Sequence, residues 1–132
     1  MPEGESFVDA LSDAAAEVEE LHGVPIEVAS AGDAALDDAL GQVVLAAREA
    51  MANAAKFSQA DQVFVYAESG HDAVVVFVRD GGVGFDRATV ADDRRGIRES
   101  IEGRMSRAGG TAKVVTTPGE GTEVELELRR PA

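Results

Sequence analysis

The chain opens on a helical stripe. Apolar residues recur at Phe7, Val8, Leu11, Ala14, Ala15, Val18 and Leu21, the three-and-four spacing of a helix with one buried face, with Ser6 placed as N-cap and Asp9 three residues on. Gly23 and Pro25 stop this helix, and the run from Ile26 to Ala29 reads as a strand ending in the turn Ser30-Ala31-Gly32-Asp33. Asp33 is placed to cap a second, longer helix that turns Leu36, Leu40, Val43, Val44, Ala47, Met51 and Ala54 inward and continues to about Phe57. Gly41 inside it costs about 1 kcal/mol relative to alanine, or marks a close helix contact.

After Ser58 the period shortens. Gln62 to Ala67 and Ala73 to Val78 are β-branched and apolar, and the turn Ser69-Gly70-His71-Asp72 between them predicts a hairpin. The second of these strands is apolar at every residue from Val74 to Val78, which predicts a central strand covered on both faces. A glycine-rich loop, Asp80 to Phe85, and a polar stretch from Asp86 to Arg95 follow. Ile97, Ile101, Met105 and Ala108 then mark a third helix closed by Gly109-Gly110. Two strands finish the chain, Ala112 to Thr116 and Glu123 to Leu128. The last alternates Val124, Leu126 and Leu128 inward with Glu123, Glu125 and Glu127 outward. Helices segregated from a mostly antiparallel, mixed sheet predict an α+β protein, a two-layer α/β sandwich with its helices on one face. A length of 132 residues suits a single domain.

Charge narrows the function classes. The net charge is −13; residues 1–47 hold 11 acids and neither Lys nor Arg, whereas residues 48–132 hold 14 acids and 12 bases. So negative a surface disfavours nucleic acid and anionic lipid as partners. Any phosphate ligand must be handled locally, and positive charge gathers in one place, Arg87, Arg94, Arg95, Arg98, Arg104 and Arg107. There is no cysteine, and the two histidines, His22 and His71, lack metal-ligand spacing, so disulfides and zinc chemistry are excluded. No apolar run approaches the roughly 20 residues of a bilayer span, and the first residues lack the order of a signal peptide. A soluble, cytoplasmic domain without direct membrane contact is expected, whether or not a parent protein is membrane-anchored.

Two constellations can carry chemistry. Glu49, Asn53 and Lys56 fall at i, i+4 and i+7 on the long helix, within about 60° of one another. Any amphipathic helix shows such a polar face, but asparagine is an indifferent helix former, and its carbonyl oxygen is a suitable hard ligand for Mg²⁺. An acid one turn away could accept a proton from an attacking oxygen. The second constellation is Asp80-Gly81-Gly82-Val83-Gly84-Phe85. Gly82 and Gly84 let backbone N–H groups approach a flat ring or a phosphate, and Asp80, at a strand end, offers a fixed acceptor for an amine. By itself the pattern also suits a tight strand-exit turn. It is neither a Walker loop, since no Gly-Lys-Ser/Thr follows, nor a Rossmann loop, since no helix opens directly after it.

Taken jointly these segments resemble a known family. Arg48 to Ser58 looks like the asparagine box of sensor histidine kinases, and Asp80 to Phe85 resembles their first glycine box. Gly96 to Ile101 followed by Gly109-Gly110 is similar to the lid-helix segment of kinases that serve NarL-type response regulators, and Pro118 to Val124 matches the last box. The resemblance implies the Bergerat fold of the GHKL ATPases over one domain, residues 1–132. Residues of about 6–35 form a leading helix and strand, and 36–128 an ATP-binding core with a lid at about 86–96.

It also implies roles. Asn53 would ligate the Mg²⁺ of bound Mg-ATP, Glu49 would deprotonate or position the attacking group, and Lys56 would approach phosphate. Asp80 would accept the exocyclic amine of adenine, Gly82 and Gly84 would line base and ribose, and Thr122 would support Asp80 through water. The backbone of Gly96 and Ile97 would face the phosphates at a helix start. The chain departs from the family pattern at Phe57, where a histidine is usual, and at Ala91 to Arg95, where the lid commonly carries Gly-x-Gly-Leu.

His22, before Gly-Val-Pro, and His71, in a hairpin turn, both read as surface residues. The phosphoryl acceptor is therefore expected on a separate, histidine-bearing dimerisation domain, with a response regulator downstream, and the chain alone should bind ATP without autophosphorylating. Two alternatives remain open: an anti-sigma-type GHKL serine kinase, and a degenerate nucleotide-binding or protein-interaction module.

Overall fold

A computed structural model describes residues 6–57, 61–80, 99–117 and 121–129. Helix α1 (Phe7–His22) begins where expected, with the Ser6 Oγ accepting the Asp9 N–H, and ends at Gly23, whose left-handed backbone donates its N–H to the Glu19 carbonyl. Strand β1 (Ile26–Ala31) follows at once. Its first N–H is taken by the Glu19 carboxylate at 2.7 Å, so the last turn of the helix satisfies the start of the strand.

Helix α2 (Asp38–Phe57) starts later than the hydrophobic pattern suggested. Its cap is Asp37, whose Oδ1 accepts the Leu40 N–H at 2.8 Å. Asp33 does something else: its Oδ1 accepts the N–H groups of Val8 and Ala34, tying the exit of β1 to the first turn of α1. A bridge between Ser6 and Ala35 makes the same connection through the backbone. Capping went to the later acid because Asp33 is recruited across the chain. Gly41 has nothing within 4 Å of where a Cβ would stand, so it marks no close helix contact.

The hairpin β2 (Val63–Ser69) and β3 (Ala73–Asp80) forms as predicted. A third helix, α3, covers the described residues 99–108 and is closed by the Gly109 N–H on the Ser106 carbonyl. Strands β4 (Gly110–Thr117) and β5 (Gly121–Arg129) complete the fold. The five strands lie in the order β1-β2-β3-β5-β4, and only the β1–β2 pair is parallel.

Strand register explains the core. One row across the sheet is Val28, Val65, Val78, Val124 and Val114, and the neighbouring row is Ile26, Val63, Asp80, Thr122 and Thr116. The described side chains of these rows face the helices, where Phe7, Leu11, Leu40, Met51, Ile101 and Met105 are buried against the sheet. Helix α2 lies over β2, β3 and β5, while α1 packs on α2 and β1.

Coverage of β3 on both faces is not borne out. Val74, Val76, Val78 and Asp80 are buried, whereas Ala73, Val75 and Phe77 are half-buried and Arg79 is exposed. Among the described residues, the apolar side chains of the second face are shielded by their neighbours across strands, Phe77 stacking on Tyr66 with ring centroids 6.4 Å apart, and by no further layer. Phe64, Tyr66 and Val115 stand exposed on that same face.

Candidate functional site

Asp80 is the last residue of β3 and 2% exposed, on the helix-facing side of the sheet. Its neighbours in the row are Val63 on one side and Thr122 on the other, and along its own strand Val74, Val76 and Val78 precede it on the same face, so an acid here departs from an apolar series. Thr122, 5% exposed, donates its backbone N–H to Asp80 Oδ1 at 3.3 Å. The support that the family resemblance routes through water therefore includes a direct main-chain contact.

Gly121, which the sequence reading left without a role, backs the same carboxylate. Its φ is +103°, and a Cβ there would overlap the Asp80 carbonyl oxygen and stand 3.1 Å from Oδ1. Only glycine combines that backbone with so close an approach. The sequence signal available for it was the Pro-Gly-Glu-Gly run, which announces a turn but not its target.

The second group lies on α2. Glu49 is half-buried and its Oε2 accepts the Ser100 hydroxyl at 3.2 Å, with Arg104 Nε 3.5 Å from the same oxygen. Neither Ser100 nor Arg104 was singled out as a partner of Glu49, since 51 residues separate Ser100 from it. Asn53 sits one turn further along α2. Its Oδ1 is buried without a hydrogen-bond partner among the described residues, which leaves a hard oxygen lone pair available to a cation. Lys56, in the last turn, is exposed.

Connectivity brings the two groups to one end of the molecule. Asn53 lies about 6 Å along the axis from the end of α2 at Phe57, and residues 58–62 then lead into Val63, the β2 residue directly opposite Asp80. Gly82, Gly84, Gly96 and Ile97 lie outside the described residues, as do the proposed lid at 86–96 and Arg87, Arg94, Arg95 and Arg98.

A shallow hollow of about 380 Å³ lined by Glu27, Phe64, Tyr66, Phe77, Arg79 and Glu123 opens on the other face of the sheet. It contains none of the residues Glu49, Asn53 and Asp80 and is not this site. Among the described residues no group of three His, Cys, Asp or Glu side chains could hold a metal ion by itself. An isolated amide oxygen of the Asn53 kind suits a cation whose other ligands come from phosphate and water.

A strand-end carboxylate and a polar helix face thus share one end of an α/β sandwich built on a mixed five-stranded sheet. Residues 8–111 match the family described as histidine kinase-like ATPase domain, and the chain belongs to that family. An uncharacterized sensor-like histidine kinase of Chloroflexus aurantiacus is 34% identical over 84 residues, which cover 60% of this chain and 14% of that protein's length.

Solved structures share the fold. The ATP binding domain of PrrB from Mycobacterium tuberculosis superposes with a TM-score of 0.77 at 22% identity, covering 98% of this chain and 99% of that one. The mycobacterial sensor histidine kinase MprB gives 0.71 at 17%, with the same coverage of 98% and 99%. The histidine kinase domain of the blue-light activated kinase EL346 from Erythrobacter litoralis gives 0.75 at 16%, covering 97% of this chain and 64% of that one.

Proposed function

We propose that this domain holds Mg-ATP between α2 and the Asp80 end of the sheet and delivers the γ-phosphoryl group to a histidine on a separate dimerisation domain. Asp80 carries the reading. Burying a carboxylate at the end of a strand costs more than burying the aliphatic residues that precede it on the same face, Val74, Val76 and Val78, and recognition of an adenine amine accounts for an acid at this position. Asp80 accepts the exocyclic amine of adenine, with Thr122 and Gly121 fixing its position. Gly82 and Gly84 line base and ribose, and the backbone N–H groups of Gly96 and Ile97 face the phosphates. Asn53 Oδ1 would hold Mg²⁺, which would supply charge neutralisation at the phosphates, and Lys56 approaches phosphate.

Glu49 orients the attacking imidazole and takes its proton as the new N–P bond forms and the bond from γ-phosphorus to the bridging oxygen breaks, releasing ADP. This is positioning and electrostatics, which is what phosphoryl transfer asks of a protein. His22 and His71 are both exposed, one at the end of α1 and one in the β2–β3 turn, and neither has the setting of the acceptor. A cytoplasmic location, where ATP is supplied, and a response regulator as the eventual recipient follow from the same reading. None of the described helices is long and apolar enough to cross a membrane.

Calorimetric titration with Mg-ATP tests the site. Wild type should bind, and Asp80→Asn and Asn53→Ala should each weaken binding at least about tenfold, the cost of one lost contact to a buried charged or metal-ligating group. Equal heats for wild type and Asp80→Asn would remove the nucleotide site. Phosphohistidine on a purified histidine-bearing hairpin, added in trans, tests transfer. A domain that binds nucleotide but never transfers would be the degenerate module instead.

A further inference from the structure

We propose that Ser100 and Arg104 of α3 are positioning residues for Glu49, fixing the carboxylate in the orientation in which it meets the attacking group. The inference rests on the role given to Glu49 above and adds what holds it there. Both contacts converge on one oxygen: Ser100 Oγ donates to Oε2 at 3.2 Å, and Arg104 Nε lies 3.5 Å from that same Oε2. Oε1 is outside both contacts and is the oxygen left to face the reacting nitrogen. A glutamate on a helix flank has several side-chain torsions to settle, and a hydrogen bond from Ser100 together with the nearby charge of Arg104, whose Nε makes no hydrogen bond among the described residues, restricts that freedom before substrate arrives.

The geometry separates positioning from mere attachment of α3. That helix is already held to the core by Ile101 and Met105, which are 1% and 0% exposed. The polar contacts are thus not needed to dock it. Glu49 and Arg104 are each about a third exposed on their side chains, where an ion pair contributes little to stability. What the cluster supplies is direction.

Transfer of the γ-phosphoryl group from Mg-ATP, to the hairpin in trans and to water, distinguishes the possibilities. Ser100→Ala and Arg104→Met should each lower kcat by about tenfold or more, the scale of a misplaced catalytic group, with the KM for Mg-ATP and the melting temperature essentially unchanged. Arg104→Lys should recover most of the rate. In a Glu49→Gln background the two substitutions should cost nothing further, because they act through Glu49.

Equal additional losses in that background, or a fall in melting temperature that accounts for the lost rate, would overturn the positioning role and leave the function of Glu49 standing. Full transfer by Ser100→Ala and Arg104→Met, with Glu49→Gln inactive, would do the same. Undiminished transfer by Glu49→Gln itself, or none by wild type, would defeat the underlying reading and this inference with it.

Discussion

At Gly121 one hydrogen atom in place of a side chain decides whether Asp80 can occupy its buried position. Gly121→Ala would force a left-handed backbone on an L residue and drive its methyl into the Asp80 carbonyl. We expect a loss of about 2–4 kcal/mol in urea denaturation, together with weakened Mg-ATP binding, because the carboxylate must move. Unchanged stability would show that the strand relaxes freely at this point.

Asp33 gives a second test at the residue scale, on pH. Desolvation pushes its carboxyl up, but hydrogen bonds from the Val8 N–H, the Ser6 hydroxyl and the Ala34 N–H outweigh this and hold it below its ordinary value. A carboxyl depressed in the folded state stabilises at neutral pH and ceases to do so as pH falls through its lowered value. Asp33→Asn should therefore flatten the acid limb of the stability profile below about pH 4, while the acid limb of wild type is steeper.

Helix α2 is where element-scale energetics can be read in isolation. Its cap at Asp37 and its interior Gly41 act in opposite directions on the same helix. Asp37→Ala removes the acceptor of the Leu40 N–H and should cost about 1 kcal/mol. Gly41→Ala places a methyl in open space within a helix that keeps its hydrogen bond to the Asp37 carbonyl and should gain about 1 kcal/mol. The combined variant should lie near wild type in chemical denaturation. A destabilised Gly41→Ala would contradict the open surroundings of that residue. The ion pair of Arg48 with Glu17 joins α2 to α1, and at such exposure it adds little to either effect.

On the scale of the whole molecule, the sheet and helices serve to bring a carboxylate and an amide to one end of the fold. Ligand linkage reads that arrangement out directly. Mg-ATP at a hundred times its dissociation constant should raise the unfolding free energy by about 2.7 kcal/mol, seen as an upward shift in melting temperature. In Asp80→Asn at the same concentration a tenfold weaker site should give about half that gain or less. An equal shift in that variant would place the nucleotide elsewhere. The acidity of the first third of the chain does not stand against an anionic ligand, because Glu49, Asn53 and Asp80 lie in residues 48–132, where acids and bases nearly balance.

The local elements were legible in the chain because their periods are local: the stripe of α1, the apolar run of β3 and the strict alternation of β5 are each decided by residues within one or two turns or pleats of one another. Asn53, an indifferent helix former within a helix, and Asp80, an acid at the end of an apolar run, stood out locally in the same way, whereas Glu49 belongs to a polar face that any amphipathic helix shows and was marked by the family resemblance. Tertiary structure alone decided which acid caps α2, since Asp33 is drawn to Val8, 25 residues away. It also decided that β3 is covered on one face, because coverage depends on where the helices pack and not on the strand's own composition. The grip of Thr122 on Asp80 and of Ser100 on Glu49 spans 42 and 51 residues. Such contacts are created by strand register and helix packing, and no periodicity within a segment encodes them.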